Sequence, residues 1–154
     1  MYYYLFIFCI LVFDQISKIL VVNYVKPIIT IPIIQNVFHL TYAENTGAAF
    51  SILSNKLPLL TIITIIFITI LIIYLYTLVS KNRCFNYFSL SLTFIIGGAI
   101  GNLIDRIRLN YVIDFFDFRL INFAIFNVAD CFIVIGSILL LLIIIFDESK
   151  EIHD

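Results

Sequence analysis

LPLLTIITIIFITILIIYLYTLV, residues 57–79, decides the fold class. It carries no charge, opens at Pro58, which suits a first helical turn, and continues as an Ile/Leu/Thr run. At about 1.5 Å per residue such a helix is long enough to cross a bilayer. Three more apolar segments approach the same length, Tyr3 to Val25, Phe85 to Leu103 and Asp130 to Phe146. The third span in chain order carries Gly97, Gly98, Ala99 and Gly101, small residues that let helices approach closely in lipid. Composition agrees: 63% of the 154 residues are hydrophobic, 12% are charged, and the mean hydropathy is +1.14. A soluble domain of this size could not cover that much apolar surface. The expectation is a membrane all-α fold of four transmembrane helices forming a single domain over residues 1–154.

Charge and cysteine content remove several function classes. Nine Lys and Arg against ten Asp and Glu give a net charge of −1, with no basic stripe for nucleic acid. Cys9, Cys84 and Cys131 match neither a zinc site nor a CxxC pair. Cys131 follows Asp130 and invites a nucleophile reading, but neither His39 nor His153 is near it in sequence. The N-terminus does not read as a cleavable signal peptide: it lacks a basic leader and carries Asp14 and Lys18 within its hydrophobic stretch. Tyr2, Tyr3 and Tyr4 suit an interfacial aromatic belt.

The connections are unequal. Ser80 to Cys84 is short and holds Lys81 and Arg83; Lys26 to Lys56 and Ile104 to Ala129 are long. In the long ones the residues alternate as in strands: Phe38, Leu40 and Tyr42 share one face, as do Val112, Asp114 and Phe116. Both are expected to be partly β-structured and to rest on the membrane surface. Two spans separate them, so both emerge on one side. The basic short loop favours a cytoplasmic location for itself and for both termini, although raw Lys and Arg counts point the other way.

Four carboxylates, Asp105, Asp114, Asp117 and Asp130, gather in the hinge before the last span. Two carboxylates held close together cannot both ionise, so the pair shares a proton. The ionised member can take a proton from water while the other donates to a carbonyl oxygen or a leaving amine. That is sufficient for peptide hydrolysis without a metal or a cofactor, and Asp114 with Asp130 is the preferred pair. Asn127 and Asp130 also fit a helix start, with Asn127 as N-cap and Asp130 at the third position, and the two roles are compatible. Asp105-Arg106 reads as a structural ion pair, Asp14 and Lys18 as an intramembrane one at i,i+4. Asn102 shares a helix face with Arg106. Asp117 reads as a solvated loop charge and His39 as a surface residue. In Asn45-Thr46-Gly47-Ala48-Ala49-Phe50 the small residues permit close backbone approach, and Asn45 can bond a peptide; an ordinary turn is the plainer alternative. A proton- or cation-relaying transporter would spread its charges through the spans, whereas here only Asp14 and Lys18 lie deep.

Together, Asp14-Gln15-x-Ser17-Lys18, Asn45-x-Gly47-Ala48-Ala49-Phe50, Gly101-Asn102-x-x-Asp105-Arg106, Val112-x-Asp114-Phe115 and Phe126-Asn127-x-Ala129-Asp130 stand in the order seen in lipoprotein signal peptidases. The chain resembles that family from about Asp14 to Leu142. The resemblance implies a bacterial inner-membrane aspartyl protease with four transmembrane helices, cytoplasmic termini and a small extracytoplasmic β-element. It implies a prolipoprotein partner, cut just before a diacylglyceryl-modified cysteine, in a monomeric enzyme surrounded by phospholipid. Asp114 and Asp130 match the catalytic dyad. Asn45, Gly47, Asn102, Asp105, Arg106 and Asn127 match residues around the site, and Asp14 and Lys18 a supporting position. Globomycin, the family's inhibitor, is expected in the same groove. Glu44 stands where many members carry a basic or neutral residue.

Overall fold

A computed structural model of the chain describes residues 2–47, 56–81 and 85–151. Ala48, Ala49 and Phe50 of the small-residue tract, and Arg83 and Cys84 of the short loop, lie outside the described residues. Four long helices are present: α1 (Tyr2–Tyr24), α2 (Leu57–Lys81), α3 (Tyr87–Leu109) and α4 (Val128–Glu151). All four are long and apolar enough to cross a membrane. Three strands, β1 (Thr30–Ile34), β2 (Phe38–Asn45) and β3 (Val112–Asp117), form an antiparallel sheet in that order. Because β2 pairs with β3, the two long connections meet at one end of the bundle, as counting the spans requires.

The third helix is the centre of the bundle and packs against the other three. Its glycines make this possible. A Cβ on Gly98 would collide with the Ala129 carbonyl of α4, and one on Gly101 would stand 2.7 Å from Asp14 Oδ2 of α1. The reverse contact, from Gly136 of α4, brings that helix against the Ser91 carbonyl. Helix α2 leans on α3, and most of its residues face outward, which is what an all-apolar helix does in lipid.

At the sheet end, Val21 and Val25 meet Ile113, Phe115 and Val128 in a buried cluster that seats the sheet on the helices. At the other end Tyr3, Leu75, Leu92 and Ile96 close the bundle. Tyr3 is therefore not a belt residue like its exposed neighbours Tyr2 and Tyr4. Its hydroxyl accepts the Asn86 N–H at 2.8 Å, at the turn where the Asn86 side chain caps α3.

Three local expectations need correction. Helix α3 continues to Leu109 instead of ending at Leu103, so Asp105 and Arg106 stand on a helix and not in a hinge. Asn110, in the left-handed conformation with φ 64°, ends it by donating its N–H to the Arg106 carbonyl. Asp117 is buried, accepting from Thr41 Oγ1 at 2.7 Å and Arg119 Nε at 2.9 Å. His39 is buried as well, opposite Asp117 in the ladder. Strand pairing also slips between Leu40 and Ala43, which interrupts the simple alternation.

The close α3–α4 approach yields a test. Gly98→Ala should cost about 1–3 kcal/mol, because the backbone of α4 cannot yield as a side chain would. Thermal unfolding in detergent measures this; an unchanged midpoint would contradict the packing.

Candidate active site

Asp114 and Asp130 reach one place from different elements. Asp114 lies in β3, paired across the ladder with Ala43, and Asp130 is the third residue of α4. Asn127, just before α4, joins them. Its side-chain oxygen accepts the Asp130 N–H at 2.9 Å, and its own N–H donates to Asp130 Oδ2 at 3.2 Å. This reciprocal pair is the capping box expected at the helix start, with Asp in place of Glu. The amide nitrogen of the same side chain donates to Asp114 Oδ1 at 2.6 Å. A single buried asparagine thus holds both carboxylates.

Two further amides complete the frame. Asn102 Nδ2 donates to Asp130 Oδ1 at 2.8 Å, and Asn45 Nδ2 donates to Asp114 Oδ2 at 2.9 Å. Asn45 is fixed in turn by the Gly47 N–H, 2.9 Å from its Oδ1. Arg106 donates through Nη2 to the Gly47 carbonyl at 3.3 Å, while its buried Nε has no partner among the described residues. Arg106 makes no ion pair with Asp105.

Asp105 instead faces Lys18. The Lys18 ammonium lies 2.9 Å from Asp14 Oδ2, 2.7 Å from Asp105 Oδ2 and 3.2 Å from Asn102 Oδ1. All three charged groups are almost fully buried. Each carboxylate also holds a backbone donor next to the site. Asp14 Oδ1 accepts the Ala129 N–H at 3.0 Å, and Asp105 Oδ2 accepts the Ile113 N–H at 3.3 Å. Gln15, which had no role of its own within the Asp14–Lys18 block, donates to Asp14 and Asp105, each at 3.1 Å. Its signal was a second polar residue beside Asp14 in an apolar run. The backbone donors have no sequence signature at all.

Asp114 and Asp130 open on a cavity of about 830 Å³. Asn45, Asn102 and Arg106 complete its polar wall, and Phe126, Ile133 and Val134 contribute to its apolar one. Burial, reinforced by the neighbouring Asp130 charge, pushes the Asp114 carboxyl up to about 7 despite the donors from Asn45 and Asn127. Such a site can hold one proton between two acids and still admit water. Glu44 turns toward Lys26 at 3.4 Å and Tyr42 Oη at 2.7 Å, a different set of contacts from those of Asn45. Cys131 lines the cavity as a free thiol. No three His, Cys, Asp or Glu side chains converge as a metal site among the described residues.

The family described as Signal peptidase (SPase) II matches residues 6–146. A lipoprotein signal peptidase of Clostridioides difficile (strain 630) is 46% identical over 151 residues, covering 98% of this chain and 99% of that protein. One from Caldanaerobacter subterraneus subsp. tengcongensis is 49% identical over 133 residues, covering 86% of this chain and 88% of the relative. A bacterial membrane enzyme solved by the in meso method at 2.3 Å superposes with a TM-score of 0.83 at 32% identity, covering 96% of this chain and 90% of that one. A second such structure, at 1.9 Å, gives 0.77 at 32% identity, covering 92% and 91%.

The Lys18 cluster generates a prediction. Lys18→Met should destabilise the protein by about 3–5 kcal/mol, since two buried carboxylates lose their counter-ion. The double variant Lys18→Met/Asp105→Asn should lose less than Lys18→Met alone. Denaturant unfolding in detergent decides it: strictly additive losses would mean the pair is not coupled.

Proposed function

Because the chain belongs to the signal peptidase II family, we propose that it is an aspartic endopeptidase of the bacterial cytoplasmic membrane. Its substrates are prolipoproteins carrying a diacylglyceryl-modified cysteine, and it cuts the bond just before that cysteine. The observation that carries this reading is the shared amide frame, in which Asn127 holds Asp114 and Asp130 on the wall of one cavity.

The two acids take different roles. Asp130 sits in the first turn of α4, where the helix dipole favours negative charge, and Asn102 links it to the Lys18 ammonium. It is the ionised base. Asp114 lies on a strand and keeps its proton to about pH 7. Asp130 takes a proton from water as the water oxygen attacks the scissile carbonyl carbon. Asp114 gives its proton to the carbonyl oxygen, forming a tetrahedral diol. On collapse, Asp130 passes its proton to the leaving nitrogen and Asp114 recovers one from a diol hydroxyl, so the dyad ends as it began.

The apolar wall, including Phe126, Ile133 and Val134, suits a substrate whose acyl chains remain in the bilayer while its peptide enters the polar wall. Arg106 and Gly47 support the segment beside that peptide. Globomycin would fill the same cavity. The sheet and the dyad face the extracytoplasmic side, with both termini in the cytoplasm, and the chain acts as one monomeric domain.

Two outcomes are expected. Asp114→Asn and Asp130→Asn should each lower cleavage of a lipidated prolipoprotein by about 10³-fold or more, with insertion into the membrane intact. Near-normal turnover in either variant would remove the dyad. Above the Asp114 value of about 7 the acid is lost, so the cleavage rate should decline as pH rises through that point. A rate profile rising through pH 7 and beyond would reverse the assignment.

A further inference from the structure

A second cavity, of about 290 Å³, opens beside α1 and α3 and shares no lining residue with the first. Lys26, Arg108 and Asn23 supply polar groups to it; Ile19, Val22 and Leu109 are apolar. Lys18 and Asp105 also line it, but both are buried and committed to the network described above. None of Lys26, Arg108, Asn23, Ile19, Val22 and Leu109 takes part in the proposed reaction.

Charge distinguishes the members. Lys18 is already held between Asp14 and Asp105. Lys26 donates to Tyr42 Oη at 3.0 Å and meets Glu44 at a long 3.4 Å, yet stays half exposed, with one of its three donors still open. Arg108 is exposed and makes no ion pair among the described residues; its hydrogen bond is 3.5 Å to Gln15 Oε1. A guanidinium has five donors in a planar fork, so nearly all of its capacity is free.

Position names the ligand. Arg108 is in the last turn of α3, and Lys26 follows the end of α1 by two residues. Both therefore stand where spanning helices leave the hydrocarbon, at the depth of lipid phosphates. Ile19, Val22 and Asn23 follow i, i+3, i+4 spacing on one face of α1, and Lys26 lies just beyond the end of that helix. An apolar track thus descends about 10 Å from Lys26 toward the bilayer interior. The carbonyl ends of α1 and α3 would repel an anion, but the Val25 and Asn110 N–H groups bond the Val21 and Arg106 carbonyls there.

We propose that this cavity binds a membrane glycerophospholipid, with its phosphodiester between Arg108 and Lys26 and an acyl chain along Ile19 and Val22. The site is separate from the peptidase site and does not rest on that reading.

The full-length protein in maltoside detergent provides the test. Its Tm is followed on adding dioleoylphosphatidylglycerol, dioleoylglycerol or inorganic phosphate. Phosphatidylglycerol should raise Tm by about 5 °C near saturation. The other two should not, and Lys26→Gln/Arg108→Gln should lose the shift while cleaving substrate normally in detergent. An equal shift with dioleoylglycerol would assign the effect to acyl chains alone, and one with phosphate to a free anion. A phosphatidylglycerol shift that persists in the double variant would place the lipid elsewhere, with Arg108 merely offsetting the surplus carboxylate below. Each of these three results overturns the proposal.

Discussion

A buried ammonium between two buried carboxylates is the constraint around which this molecule is arranged. In an apolar bundle an isolated charge is prohibitive, and Lys18 makes Asp14 and Asp105 tolerable only where all three converge. That requirement sets the register of α1 against α3. The same carboxylates then reach outward: Asp14 takes the Ala129 N–H at the start of α4, and Asp105 takes the Ile113 N–H one residue before Asp114. Asp114 and Asp130 are thus both placed from below by one charge cluster. The glycines of α3 serve the same end, because the Asp14 carboxylate needs the space that a side chain at position 101 would take.

Above that cluster, asparagines do work that ionisable residues could not. An amide donates to a carboxylate without adding a charge of its own, so Asn45, Asn102 and Asn127 can hold two acids together without fixing the protonation state of either. The asymmetry comes from backbone context. One acid lies at a helix N-terminus and is linked through Asn102 to an ammonium; the other is buried on a strand. Chemically identical side chains acquire opposite assignments in the proposed reaction because of where they sit.

Much of this was legible in the residues. Long uncharged runs announce spans, and polar groups at their ends stand out against Ile and Leu. Asn127 and Asp130 carried a helix-start pattern that the capping box reproduces. What was not legible depended on tertiary partners. Asp105 next to Arg106 suggests a local pair, yet Lys18, distant in sequence, wins because it is buried and Arg106 turns toward Gly47. The charges at 105 and 106 look like a hinge when their partner is unseen, yet α3 runs on to Leu109. Tyr3 and His39 looked like surface residues until packing buried them. Backbone donors such as Ile113 N–H appear in no side-chain pattern.

In the proposed reaction Asp114 and Asp130 share one proton, held on Asp114. Infrared titration of protonated carboxyl groups, comparing the native protein with Asp114→Asn, addresses it directly. A carboxylic acid band that persists to about pH 7 in the native protein and vanishes in the variant is the predicted result. Complete ionisation of both acids by about pH 5, as for ordinary carboxyls, would contradict it.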